Sequence, residues 1–173
     1  LGDRRTIAAP DAAALRALAA RETDLPVLAQ LASSAARLPP AQGVALALAV
    51  ASNPASRTDE RVPWLVWWAL EPAAITAPEI VVAAFASPEA WADPARHDDC
   101  LRFLRRFAAE GSPAGADACA AILAAAPDAE RGIALAAVRD GLAERGERPS
   151  GVGQGGLYES LAVRTGSPPP SSP

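Results

Sequence analysis

A chain of 173 residues with a formal net charge of −4 and a pI near 5.0 is long enough for one domain with a sizeable core. Its acidic balance argues against a general nucleic-acid binder, which needs a clustered positive field to displace counterions. Half of the residues are apolar, but about a quarter of the chain is alanine, so helix propensity is high while bulky core formers are sparse. All 16 basic residues are arginine, a bias that reads as GC-rich coding rather than phosphate binding. Apolar runs such as 43–52 and 80–86 fall well short of the roughly 20 residues a membrane span requires. Leu1 is not an initiator and no charged-then-apolar leader opens the chain, so the expectation is a mature product or, in preference, an excised fragment.

In chain order, residues 11–22 predict a short helix with Leu15, Leu18 and Ala19 on one face, stopped at Thr23-Asp24. Residues 25–38 place Leu28, Leu31, Ala35 and Leu38 at spacings of three, four and three, an amphipathic helix that Pro39-Pro40 ends. In 41–52, Val44, Leu46, Leu48 and Val50 alternate with small residues and fit a strand as well as a helix; length and alanine content favour the helix. A polar loop over 53–60 leads to R-V-P-W-L-V-W-W-A-L-E-P at 61–72, which holds three of the four tryptophans. Val62, Leu65, Val66, Ala69 and Leu70 form one stripe of this helix; Trp64, Trp67, Trp68 and Glu71 form a second. A rod apolar nearly all round is expected in the interior, covered on both sides, with Pro72 stopping it.

Short helices follow at 78–86 and near 88–91. Asp93-Pro94 predicts a cap and first turn for a helix to Glu110, with Cys100, Phe103, Leu104 and Phe107 as its core stripe. Ser112-Pro113 opens a helix to about Ala126 carrying Cys119, Ile122 and Leu123 inward. Pro127-Asp128 opens the last, to Arg145, with Leu135, Val138 and Leu142 inward and Gly132 and Gly141 weakening it slightly. No run has convincing strand chemistry. The expected fold is therefore all-α, a HEAT-like α-solenoid of short antiparallel helix pairs over 1–148, with a Pro/Ser/Gly-rich tail at 149–173 and one possible short helix near 156–163.

The runs W-L-V-W-W-A-L-E-P and R-F-L-R-R-F-A-A-E-G-S, with A-C-A-A-I-L-A-A-A-P-D and the segment 24–39, resemble one family. It is the large PVC-type haem-binding, membrane-bound-dehydrogenase-like proteins of planctomycete-like bacteria. The chain looks like their helical region, which lies between a propeller-type dehydrogenase domain and a cytochrome c domain with a C-x-x-C-H motif. Cys100 and Cys119 lack the x-x-Cys-His continuation, so haem c is implied only for the parent protein, and no cofactor or functional residue carries over to this segment. The resemblance implies a periplasmic or exported parent, in which an oxidising compartment would permit a disulfide between Cys100 and Cys119. From the residues alone both read as core residues on facing helices, offset by about 6 Å along the pair, and the bridge is the alternative.

His97, the only histidine, has only local acidic neighbours and reads as an exposed structural residue rather than a metal ligand. The 151–156 glycines lack the strand and the Lys-Ser or Lys-Thr of a phosphate loop and read as linker. No G-x-S-x-G elbow marks a nucleophile. Arg102, Arg105 and Arg106 form a basic edge. Its alternatives are a solvated face with an Asp98–Arg102 pair, or one arginine crossing to Glu71 at the C-terminal end of the tryptophan helix. Trp64 and Trp67 are the tryptophans best placed to reach an inter-domain surface. The leading expectation is a non-catalytic scaffold that docks neighbouring domains of the same polypeptide, or another protein. The alternatives are a stand-alone ligand-binding or enzymatic domain with a cleft near Trp64, Glu71 and Arg106, or a HEAT-type nucleic-acid binder.

Overall fold

A computed structural model of the chain describes residues 6–146; the expected tail and its short helix near 156–163 lie outside the described residues. Among the described residues there are nine α-helices, one five-residue 3-10 turn and no strand. The fold class is all-α. The segment read as ambiguous between strand and helix is α3, Pro40–Ala51, which follows α1, Ala9–Arg21, and α2, Leu25–Ala35. The alternation of Val44, Leu46 and Val50 does not set the backbone, because alanines occupy the positions between them and the helical bonds satisfy the chain locally.

The chain divides within α5, Pro78–Phe85, into two compact units that meet between Val81 and Val82. In the first unit α1 packs on α3, α2 packs on α3 and α4, and α3 packs on α4 (Val62–Thr76). The core is built from Leu28, Leu31, Leu46, Val50, Val62, Val66 and Leu70, with Ala19, Ala32, Ala35 and Ala47 filling the close approaches. Buried Asn53 fixes the loop read only as polar. Its side-chain amide donates to the carbonyls of Ala19 at 2.7 Å and Glu22 at 2.8 Å, while its Oδ1 accepts from Ala55 N–H at 2.9 Å. One side chain thus satisfies the end of α1 and starts the 3-10 turn Pro54–Thr58. Asp59 Oδ1 then accepts from the N–H groups of Arg61 and Val62, at 2.7 and 2.9 Å, and caps α4 from outside it.

Two expectations for α4 are corrected. Pro72 does not stop the helix, which runs on to Thr76 with Pro72 inside. Proline removes one i→i−4 bond at a cost of ~3 kcal/mol, but burial of Leu70, Ala73 and Ala74 on both sides of it holds the helix together. Nor is α4 covered all round: Val62, Val66, Ala69 and Leu70 are buried, whereas Trp64 is 55 % and Trp68 59 % exposed. The alanine-rich α2 and α3 bring their backbones close, and a small aliphatic stripe fits that approach where indoles do not.

The second unit contains α6 (Pro88–Ala92), α7 (His97–Glu110), α8 (Pro113–Ala124) and α9 (Arg131–Glu144). Here α7 packs most extensively on α9 and next on α8. Phe103 lies between Phe85, with ring centroids 4.8 Å apart, and Phe107 at 6.0 Å, and all three rings are fully buried. Trp91, also buried, donates its indole N–H to the Ile122 carbonyl at 3.2 Å. Ser112 caps α8 by accepting from Gly115 N–H at 3.0 Å, as its Ser-Pro start predicts. Gly111 ends α7 with φ +73°, a left-handed conformation that glycine adopts without a Cβ penalty.

The Asp93-Pro94 start is displaced by one turn. The Asp93 carboxylate accepts from Ala95 N–H at 2.9 Å and from Arg96 Nε at 2.8 Å, and its carbonyl accepts from the N–H groups of Arg96 and His97. That closed turn occupies 94–96, and the α-helix begins at His97. The last helix likewise begins at Arg131, after a turn at Pro127-Asp128.

Candidate functional site

The most conspicuous surface feature is carried by α4. Trp64, Trp68 and Ile75 fall at i, i+4 and i+11, which puts them on one side of the helix, and each is more than half exposed. Pro72, also exposed, continues this side, and Trp67 and Glu71 border it half-buried. Trp64, Trp67 and Glu71 therefore lie together on the first unit. Large apolar side chains grouped in this way mark surfaces that other molecules cover.

The basic edge lies on α7 in the second unit, where Arg102 and Arg105 each pair with an acid. Arg102 donates to Asp99 Oδ1 at 3.0 Å, so the expected Asp98–Arg102 pair is replaced by a partner three residues away. Asp98 is exposed, whereas Asp99 is buried, 6 % accessible. Arg105 reaches across to Glu144 on α9, donating through Nε at 2.7 Å and also through Nη2. This pairing holds the Arg105 guanidinium above its ordinary pKa. Arg106 is half-buried on the same helix.

Cys100 and Cys119 are free buried thiols, not a disulfide. Their offset seats each under a different carbonyl, Phe85 O at 3.9 Å for Cys100 and Leu104 O at 3.8 Å for Cys119. Burial pushes both thiols up to about 12, so neither is a nucleophile near neutral pH.

His97, read as exposed, is half-buried with both ring nitrogens engaged: Nδ1 is 3.3 Å from Asp98 Oδ1 and Nε2 is 3.3 Å from Glu130 Oε2. Its ring also stands edge-on to Trp91 with centroids 5.8 Å apart. Partial burial opposes protonation, but the bonds to Asp98 and Glu130 outweigh it and raise the pKa above 6.5. Among the described residues no group of three or more His, Cys, Asp or Glu side chains could hold a metal ion, and no helix is long and apolar enough to cross a membrane.

These groups make the second unit sensitive to pH. Burial pushes the Asp99 carboxyl up from 3.8 to about 6, with Arg102 recovering only part of the cost. Because its folded pKa exceeds its unfolded value, the native state binds this proton more tightly. Stability therefore falls as pH climbs from about 4 through 6, by an amount on the order of 2–3 kcal/mol. His97 acts in the same direction: its contribution is present below pH 6.5 and is lost as pH rises through the higher folded value. Glu110 opposes them at the acid end. Its carboxylate is held low by hydrogen bonds from the Ser112 hydroxyl and N–H, so its contribution disappears below the usual carboxylate range. The expected stability maximum of this unit is near pH 4, just before the Asp99 decline begins. Asp99→Asn should flatten the decline between pH 4 and 6 in urea titrations; a wild-type profile already flat there would refute the assignment.

A cleft of about 250 Å³ lies in the first unit, between α1, α3 and the turn at Leu38. Sequence reasoning missed it, because it depends on three alanines, Ala9, Ala12 and Ala41, facing one another across two helices. Compared with known proteins, the chain matches no family model, no curated protein and no solved structure.

Proposed function

We propose that the chain is a non-catalytic HEAT-like scaffold whose α4 face docks a neighbouring domain of the same polypeptide, in a larger exported redox protein. The observation that carries this reading is the side of α4 on which Trp64, Trp68 and Ile75 stand more than half exposed. Tryptophan offers large amphipathic contact area at low conformational-entropy cost and dominates docking surfaces for that reason. The pattern of helix contacts supports the solenoid element. Within the first unit, alternate helices meet, α1 with α3 and α2 with α4, and within the second α7 meets α9. Helix pairs stacked layer on layer produce such contacts, and they provide extended surfaces for docking without requiring a pocket. The dehydrogenase and cytochrome c neighbours rest on the sequence resemblance alone.

Oxidative footprinting tests the docking element. Trp64 and Trp68 are expected to oxidise several-fold more slowly in the polypeptide encoded by the complete reading frame than in the isolated chain, with buried Trp91 slow in both. Equal rates at Trp64 and Trp68 in the two forms, or a reading frame that encodes no further domain, would refute it. Turnover of a substrate by the isolated chain would equally refute the non-catalytic element.

A further inference from the structure

The cleft between α1 and α3 is distinct from the α4 face and is furnished differently. Its walls are apolar, from Leu15 on α1, Leu38 in the turn and Leu46 on α3. One wall is fixed by a reciprocal pair of bonds: Gln42 Nε2 donates to the Ile7 carbonyl at 2.9 Å, and Ile7 N–H donates to Gln42 Oε1 at 3.5 Å. Ile7, two residues before α1, is thereby tied to α3 through both amide atoms of Gln42. One charged residue is in the lining, Arg16, which is exposed on α1. Among the described residues no acid pairs with it; Asp11, the acid of the same helix, stands about 140° round the helix axis.

We propose that this cleft binds a small amphipathic anion, a short-chain carboxylate whose tail lies against Leu15, Leu38 and Leu46 and whose head pairs with Arg16. Charge complementarity selects the head: a guanidinium at the edge of an apolar hollow matches a carboxylate bidentately. Volume selects the tail, because about 250 Å³ is below the range of drug-sized sites, ~300–1,000 Å³. The proposal is independent of whether α4 docks a partner.

Titration of the full chain with octanoate, followed by backbone amide chemical shifts, tests it. Saturable shifts are expected at Leu15, Leu38 and Leu46. Uncharged 1-octanol is expected to bind about tenfold more weakly, and Arg16→Gln to weaken octanoate by about the same factor, the loss of one charge-assisted contact. Ala12→Phe, which fills the hollow from a half-buried position on α1, should abolish the shifts while keeping the native spectrum. Octanol binding as tightly as octanoate, Arg16→Gln binding unchanged, or shifts centred on Trp64 and Trp68 would each overturn it. So would binding that appears only after residues 1–5 are deleted, because another occupant would then hold the cleft in the full chain.

Discussion

Phe103→Ala is expected to lower the unfolding free energy by about 3–5 kcal/mol, the largest loss from any single side chain in the second unit. The ring is fully buried and packs against two others, Phe85 at 4.8 Å and Phe107 at 6.0 Å, so truncation forfeits aromatic contacts as well as transferred area. The neighbours cannot close the gap cheaply. Phe107 is anchored one turn along the same helix, and Phe85 ends α5, where the Arg96 guanidinium and the Cys100 thiol donate to the carbonyls of Ala84 and Phe85. A domain is stable by only ~5–15 kcal/mol, so this loss should shift the urea midpoint strongly. Phe103→Leu, which retains most of the apolar volume, should fall between the two. A loss of under ~1 kcal/mol for Phe103→Ala would show that the three rings are not the anchor of this unit.

That stripe was legible in the sequence, and the reason is instructive. In α2, α7 and α8 a few bulky residues stand among small or polar ones, so spacing alone identifies the buried side: Leu28 and Leu31, Phe103 and Phe107, Ile122 and Leu123 are all buried. In α4 both stripes are apolar, and periodicity cannot choose between them. What decides is the surface offered by α2 and α3, whose alanines admit Val66 and Ala69 at close range and leave Trp64 and Trp68 outside. Pro72 shows the same limit from another side, because the missing N–H is a local cost and the packing that outweighs it comes from other helices. Asp99 stands four residues before Phe103 on the buried side of α7, and its carboxylate accepts from Arg102 rather than facing solvent as Asp98 does. The Asn53 bridge to α1 spans more than thirty residues of chain, and nothing in its local surroundings signals it.

Gly141 carries the second large prediction, since its role reverses the reading of it as a mild helix weakener. It is buried in α9, and a Cβ built on it would stand 2.2 Å from the Arg105 carbonyl oxygen and 2.9 Å from Ala108 Cβ, both on α7. The first of these is backbone, so no side-chain rotation relieves the clash; α9 must move away from α7, along the most extensive helix contact of the unit. Gly141→Ala is therefore expected to cost about 1–3 kcal/mol through overpacking, even after the ~1 kcal/mol that alanine gains over glycine in a helix interior. The Arg105–Glu144 pair spans the same interface one turn further on and should loosen with it, visible as faster amide exchange in α9. Gly132 supplies the control. It occupies the same helix with nothing within 4 Å of its virtual Cβ, so Gly132→Ala should gain up to ~1 kcal/mol from propensity alone. Opposite signs for the two glycines in one denaturation series would establish that close approach, not helix propensity, is what position 141 requires. A stabilised Gly141→Ala would overturn the α7–α9 contact as described.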